Sequence, residues 1–397
     1  MRLRTRSRGS SWVRRTSWIV GVVAISLSAA CTAPEEEAAV ANAVEEPSVF
    51  ASLEPGWNTF EPGGETTCSD GSPFHFFARP GDPEKVIFYL QGGGGCWNGA
   101  TCDRDGQPTY SMTAVERLIE AKPGEERPEG AQGGIFDYTR ADNPLRDYSA
   151  VFVPYCTGDV HLGNRLAAYE APAGEDHEAH EFTTEHKGAV NVRAALDWTF
   201  SAFASPETVF VTGSSAGSIP SPYYAHVIKA HYPSSRVVQL GDASGGYRRQ
   251  TGSARPHEAW GTLDVVADVP GLAALASEEF NYERLYIEAG KANPDIAFAQ
   301  FDNAEDGVQL RFLGISGAGA DSLEPLLDAN RADIAAAVPN FRAYTAGGDA
   351  HTILQRDTFY SLRVGKVLFR DWLAALVAGE PVDNVHCQDC SVAEIDT

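Results

Sequence analysis

The feature that most constrains this chain is the run Thr208-Val-Phe-Val-Thr212 followed directly by Gly213-Ser-Ser-Ala-Gly217. An apolar, β-branched run reads as a buried strand. A serine flanked by small residues, with helical spacing at 222–232, turns that strand sharply into a helix. Such a turn strains the backbone of Ser215 and lifts its Oγ to the C-terminal edge of a sheet. The N–H of Ala216 then points to where an oxyanion would form. A strand that ends this way belongs to a parallel sheet covered on both faces.

The rest of the chain supplies that pattern. Apolar runs at 86–90, 150–154, 236–240, 296–301 and 341–345 alternate with helical spacing at 188–204, 222–232 and 359–377. The expected class is α/β, with a mostly parallel central sheet covered by helices. Residues 243–290 carry no strand signal and are expected to form a helical insertion that serves as a lid. Segments 103–148 and 160–186 read as polar loops walling a cleft.

Serine is a poor nucleophile unless a base takes its proton, and on this kind of sheet base and acid follow the serine in the chain. His226 and His231 fall on the helix after the turn, His257 in the insertion and His386 beside the last cysteines. His351, in Gly347-Gly-Asp-Ala-His351 after the last long strand, is the expected base. Two carboxylates end strands, Asp242 and Asp302, and Asp302 follows the later strand. Asp302 is the expected acid, Asp242 a support for the turn, and Asp306 and Asp349 are remoter candidates. The run Gln91-Gly-Gly-Gly-Gly-Cys-Trp-Asn98 follows an early strand, where glycine N–H groups can approach an oxyanion. Gly93 and Gly94 are the candidate donors beside Ala216. A phosphate loop is disfavoured, because the Lys-Ser/Thr that completes one is missing. Asp159 and His161 read as a buried structural pair, with a metal or substrate role as the alternative. Trp57, Trp97 and Tyr155 could line the cleft or the core. The chemistry calls for no cofactor and no metal.

The N-terminus reads as an address rather than as part of the fold. Six arginines and no acid occupy the first 30 residues, ahead of the apolar run 18–27 and the sequence Leu27-Ser-Ala-Ala-Cys31. That layout matches a signal peptide, with lipidation of Cys31 expected and plain cleavage after Ala30 the alternative. Arg14-Arg15 adds a hint of a twin-arginine signal. Residues 32–52, rich in Ala, Glu and Pro, are expected to be a flexible acidic tether, and 53–397 the catalytic domain. The net charge of −23 becomes −23 − 6 = −29 without the leader. This argues against nucleic acid and anionic lipid as partners, so membrane contact would come only through Cys31. An exported location also favours disulfides. With Cys31 set aside, Cys96 with Cys102 and Cys387 with Cys390 can close short loops, which leaves Cys68 with Cys156. A metal half-site at His386, Cys387 and Cys390 is the alternative for the last pair.

Five segments together resemble the pectin acetylesterase family, which includes Notum-type deacylases: 91–98, Val-Pro-Tyr-Cys-Thr-Gly-Asp-Val-His at 153–161, Gly-Ser-Ser-Ala-Gly-Ser at 213–218, Gln-Phe-Asp at 300–302, and Gly-Gly-Asp-Ala-His-Thr-Ile-Leu at 347–354. The likeness runs over about 55–375. It implies an α/β-hydrolase-like fold and a metal-free esterase acting on an acyl ester, with an acetylated polysaccharide such as pectin as the leading substrate. A lipid- or protein-deacylase or a polyester hydrolase is the alternative, as is an inactive glycan-binding lipoprotein. It also implies Ser215, Asp302 and His351 as triad, Gly93, Gly94 and Ala216 as oxyanion donors, and the pairings Cys68–Cys156 and Cys96–Cys102. Gly94 and Gly95 stand where Notum-type members carry aromatics, which implies a more open pocket.

Overall fold

The computed structural model describes residues 49–112, 131–174, 177–248 and 253–396. The signal segment, Cys31 and most of the expected tether lie outside the described residues. The end of that tether does not: Val49–Ser52 forms a short 3-10 turn whose Phe50 ring sits 5.2 Å from Phe203. The folded domain therefore starts before residue 53.

Among the described residues, nine strands make one sheet. In chain order they are β1 (Asn58–Phe60), β2 (Phe76–Arg79), β3 (Asp82–Leu90), β4 (Tyr148–Val153), β7 (Thr208–Ser214), β8 (Arg236–Asp242), β9 (Ala297–Asn303), β10 (Phe341–Ala346) and β13 (Val385–His386). Across the sheet the order is β1-β2-β4-β3-β7-β8-β9-β10-β13. β1 and β2 are antiparallel to their neighbours, and every pair from β4 to β13 is parallel. This is the α/β-hydrolase-like arrangement expected, with two antiparallel edge strands that were too short to show as runs.

The strands are apolar throughout because both faces are covered. Side-chain alternation divides them between two cores. Val86, Phe88, Leu90, Val209 and Val211 enter one, against the helices Gly188–Ala202, Ser221–His231 and Tyr282–Ala292. Ile87, Tyr89, Phe210, Val238, Leu240 and Phe301 enter the other, against the helix Phe369–Ala378.

Three expectations change. The helix Tyr282–Ala292 is not lid: Leu285, Tyr286 and Ala289 bury it against the sheet, so the insertion narrows to the short helices Pro256–Trp260, Thr262–Val265 and Pro270–Ala273. The helix expected over 359–377 begins only at Phe369. Before it, β11 (Leu362–Val364) and β12 (Val367–Leu368) form a hairpin around Gly365, whose φ of 59° suits a tight turn. The segment 160–186 is not mainly loop: β5 (Arg165–Ala171) and β6 (His180–His186) pair antiparallel over seven residues. Their Glu, Thr and His content hid a period-two pattern that the burial shows plainly.

All three expected disulfides form: Cys68–Cys156, Cys96–Cys102 and Cys387–Cys390. The last replaces the half-site for metal. Cys68–Cys156 spans 88 residues and ties the segment before β2 to the end of β4. By loop-closure entropy, a C68A/C156A double variant is expected to lose on the order of 4 kcal/mol. The guanidinium midpoint measures this; an unchanged midpoint would show that packing alone holds these segments.

Candidate active site

The C-terminal ends of β3, β7, β8, β9 and β10 lie side by side. In register, Leu90 pairs with Gly213, Ser214 with Asp242, Asp242 with Phe301, and Asp302 with Thr345. Each chemistry-bearing residue is at or just beyond one of these ends.

Ser215 has φ 53°, a left-handed conformation that a non-glycine residue holds only when its surroundings impose it. It opens the 3-10 turn Ser215–Gly217, and the helix Ser221–His231 follows. The residue before it is anchored from below: Ser214 Oγ donates to Asp242 Oδ2 at 2.6 Å and accepts from the Tyr89 hydroxyl at 2.9 Å. The glycine-rich loop meets the turn closely. A Cβ on Gly92 would stand 2.4 Å from the Ser214 carbonyl oxygen and 2.7 Å from Ser215 Cβ, so only glycine fits there.

That loop is held on several sides. A bridge joins Gly94 to Tyr110 through Gly95 N–H to Thr109 and Ser111 N–H to the Gly93 carbonyl. Neither bond uses the N–H of Gly93 or Gly94. Tyr155 is buried; its hydroxyl donates to the Gly94 carbonyl at 2.9 Å and accepts from Val160 N–H at 2.9 Å. His161 Nε2 meets the Gln91 carbonyl at 2.8 Å, and Asp159 accepts from Thr157, His161 N–H and Gly188 N–H. Asp159 and His161 are thus the structural pair expected, fixing the loop from behind. Burial lowers the His161 imidazole below its usual range, which keeps it neutral in that role. Trp57 lies against Phe136 and Phe152 in the core rather than in the cleft. Trp97 does line the cleft.

Of the candidate bases, His351 is the one paired with a carboxylate from the loop beyond β9; His386, on β13 beside Thr345, faces Glu324 and Asp328 of a helix instead. His231 stacks on Phe200, His226 meets Asn293, and His257 meets Ser277 inside the insertion. His351 Nδ1 lies 2.7 Å from Asp306 Oδ2. Its Nε2 is buried and has no hydrogen-bond partner among the described residues.

The expected acid is corrected here. Asp302 does not reach His351. Its Oδ2 takes Arg331 at 2.6 Å, and its Oδ1 takes Gly245 N–H and Gln309 Nε2 at 2.9 and 2.8 Å. Burial pushes its carboxyl up, and the Arg331 guanidinium opposes that push. Asp302 lies within β9, facing β10 and Arg331. Asp306 lies in the turn beyond, where its Oδ1 caps the helix Gly307–Ile315 by accepting from Val308 and Gln309 N–H. Its Oδ2 faces His351 and also accepts from the Gln309 side-chain amide. Asp349 is exposed.

The sequence reading also missed Gln309 and Arg331. The Gln309 side-chain amide donates to both Asp302 and Asp306, and its oxygen accepts from Gly246 N–H. It therefore sets the distance between the two carboxylates. An Asp cap ahead of helical spacing at 307–315 was the one available signal.

Asp242 takes the supporting role expected for it. Fully buried, it accepts from Ser214 and from the N–H groups of Ile353 and Leu354 at 3.0–3.1 Å, just after His351. Burial raises its carboxyl to about 6, against the pull of those hydrogen bonds.

An open cleft of about 830 Å³, counting space that opens to solvent, adjoins Ser215 and Ala216. Trp97, Val160, Ile219, Trp260, Phe280 and Phe312 give it an apolar wall. Trp260 comes from the insertion, Phe280 from the segment just before the helix Tyr282–Ala292, and Phe312 from the helix that Asp306 caps.

Comparison with known proteins bears on the family and the fold. A model of the pectinacetylesterase family matches residues 61–262, just over half of the chain. Two palmitoleoyl-protein carboxylesterases are similar over about 100 residues: NOTUM of Schmidtea mediterranea, 30% identical over 25% of this chain and 18% of its own, and notum2 of Xenopus laevis, 32% identical over 25% and 19%. The matched stretch thus spans about a fifth of those curated relatives. An inactive palmitoleoyl-protein carboxylesterase, notum1b of Danio rerio, is 28% identical over 25% of this chain and 66% of its own. The structure of the Wnt deacylase Notum from Drosophila superposes with a TM-score of 0.56 at 15% identity, covering 81% of this chain and 94% of that one, and supports the fold.

Two predictions follow from the carboxylates. Asp306→Asn is expected to lower ester turnover about 10³- to 10⁴-fold with the fold intact, because the imidazole loses its orienting acceptor. Asp302→Asn is expected to act on stability instead, costing about 3–5 kcal/mol by stranding the buried Arg331. Denaturation and turnover measured on both variants test the pair; equal loss of turnover at unchanged stability in Asp302→Asn would return the acid role to Asp302. For Asp242, the folded state holds a proton that the unfolded chain releases near pH 4. Its contribution therefore falls as pH rises from about 4 to about 6, by roughly 2–3 kcal/mol. The stability difference between the parent and Asp242→Asn, followed against pH, should show that slope and be flat above it; a flat difference throughout would refute it.

Proposed function

The chain belongs to the pectin acetylesterase family, and from that premise we propose that it is an exported carboxylic ester hydrolase acting through Ser215, His351 and Asp306. The observation that carries the reading is the Asp306–His351 pair at the same sheet edge as a strained serine that borders an apolar cleft. Family membership alone is not enough, since one relative is named inactive; the serine, histidine and carboxylate of this chain supply what activity needs.

In the proposed reaction, Ser215 Oγ attacks the acyl carbon while His351 Nε2 accepts the hydroxyl proton. Asp306 holds Nδ1–H and stabilises the imidazolium. The carbonyl oxygen becomes an oxyanion against the N–H groups of Gly93, Gly94 and Ala216. The intermediate collapses, the C–O bond to the alcohol breaks, and His351 returns the proton to the departing oxygen. A water then attacks the acyl-enzyme, gives its proton to His351, and the acid leaves as Ser215 recovers that proton.

The cleft supports an acyl group longer than acetyl. Its wall at Val160, Ile219, Trp260, Phe280, Phe312 and Leu313 offers apolar surface that an acetyl group would leave unfilled. Deacetylation of an acylated polysaccharide is the second reading, which the family and the aromatic Trp97 at the cleft favour. Export rests on the Arg-rich leader and on Cys31 as an anchoring position. Among the described residues no helix is long and apolar enough to cross a membrane.

On p-nitrophenyl esters of increasing length, kcat/KM is expected to rise by up to about fourfold per methylene, from roughly 0.8 kcal/mol of burial each, until the cleft is filled. Ser215→Ala should abolish turnover at every length. Undiminished turnover in that variant would rule out the nucleophile. A maximum at acetyl, together with faster release of acetate from acetylated pectin, would decide for the polysaccharide.

A further inference from the structure

Asp103 and the connection between β5 and β6 carry a cluster that ester hydrolysis does not use. Asp103 directly follows the disulfide-closed turn 96–102 and is buried. Two imidazoles converge on it: His177 Nε2 lies 3.2 Å from Oδ2, and His180 Nε2 lies 3.5 Å from Oδ1. Asp105 Oδ2 is 3.6 Å from the same His180 nitrogen. The other nitrogens are already committed. His177 Nδ1 and His180 Nδ1 lie 3.2 and 3.1 Å from the carbonyl oxygen of Glu178. A carbonyl only accepts, so both Nδ1 atoms carry hydrogen and the two Nε2 atoms are the ones that face Asp103.

A buried carboxylate facing two ring nitrogens needs positive charge beside it, from a proton on a ring or from a metal ion. The spacing suits a metal ion. A tetrahedral site with bonds of about 2.0–2.1 Å has edges of about 3.3 Å between ligand atoms; His177 Nε2 and Asp103 Oδ2 stand 3.2 Å apart, and one ligand atom from each of Asp103, His177 and His180 lies within 4.8 Å of the other two. The Glu178 carbonyl supplies the outer hydrogen bond that metal-bound imidazoles use to fix their tautomer. Two glycines leave the site room. A Cβ on Gly106 would stand 2.9 Å from Asp103 Oδ2 and 3.3 Å from His177 Nε2, and one on Gly174 would stand 2.5 Å from His177 Nε2.

We propose that Asp103, His177 and His180, with Asp105 as the outer fourth ligand, form a structural binding site for a divalent transition cation of the Zn²⁺ class. Two imidazoles with carboxylates suit zinc, whereas calcium and magnesium select sites made of oxygen alone. The cation joins the turn that follows the Gly-rich loop and its disulfide to the β5–β6 connection, and takes no part in the hydrolysis.

The test uses the purified full chain, stripped with EDTA and then titrated with ZnCl₂ against a chelating dye. One tight equivalent of zinc and a rise in melting temperature are expected, with no such rise in MgCl₂. His177→Ala and His180→Ala should each weaken binding at least about 100-fold and abolish the rise, while their metal-free melting temperatures stay near that of the parent. His386→Ala is the control, because His386 with Glu324 and Asp328 forms the other histidine–carboxylate group with free ligand atoms among the described residues; zinc binding should survive it. A parent chain that takes up no zinc overturns the proposal whatever the variants do. So does binding lost in His386→Ala but kept in His177→Ala and His180→Ala.

Discussion

The buried carboxylate of Asp242 is the constraint on which the rest of the site depends. Its side chain is bonded both to the serine turn, through Ser214 Oγ, and to the histidine loop, through Ile353 and Leu354 N–H. Those two loops leave β7 and β10, which are separated in the sheet by β8 and β9. No backbone ladder can hold such loops against each other, so a side chain must. A carboxylate suits this task because it accepts several donors at once, and each donor offsets part of the cost of burying it.

Next to it, work is divided between two other carboxylates. Asp302 is spent on Arg331, and Asp306 on His351. Gln309 donates one N–H toward each and so holds apart two groups that would otherwise repel. The arrangement also separates their uses. An acid that must orient an imidazole cannot share the oxygen facing it with a guanidinium, because the stronger donor would take it. Asp306 keeps that oxygen by using its other one to cap a helix.

The sequence made the sheet legible wherever a strand is buried on both faces, because such strands are unbroken apolar runs. β3, β4, β7, β8, β9 and β10 all read this way, and so did Ser215 and His351, which follow directly from two of them. What escaped was set by geometry off the strand axis. Asp302 and Asp306 differ by four positions, and only the turn after β9 decides which of them faces His351. β5 and β6 escaped because their exposed faces carry Glu, Thr and His. Tyr282–Ala292 was taken for lid because a long segment without a strand signal hides a helix that packs on the sheet. Arg331 has no local signature, since its partners lie on other elements, and for Gln309 the Asp306 cap of its own helix was the one local signal.

Backbone strain lies beside the same network. Ser215, Ala243 and Thr352 have φ of 53°, 68° and 63°. Each is a non-glycine residue at a strand end or in the loop beyond, next to Ser214, Asp242 and His351 respectively. A left-handed non-glycine residue costs roughly 1–3 kcal/mol, so three of them amount to a sizeable fraction of a domain's net stability. They persist because what surrounds them is over-determined. The bonds of Asp242 to Ser214, Ile353 and Leu354 restrain the chain beside all three. Their combined effect is to restrain the serine turn, the histidine loop and the edge between them, which is the preorganisation the proposed reaction would draw on.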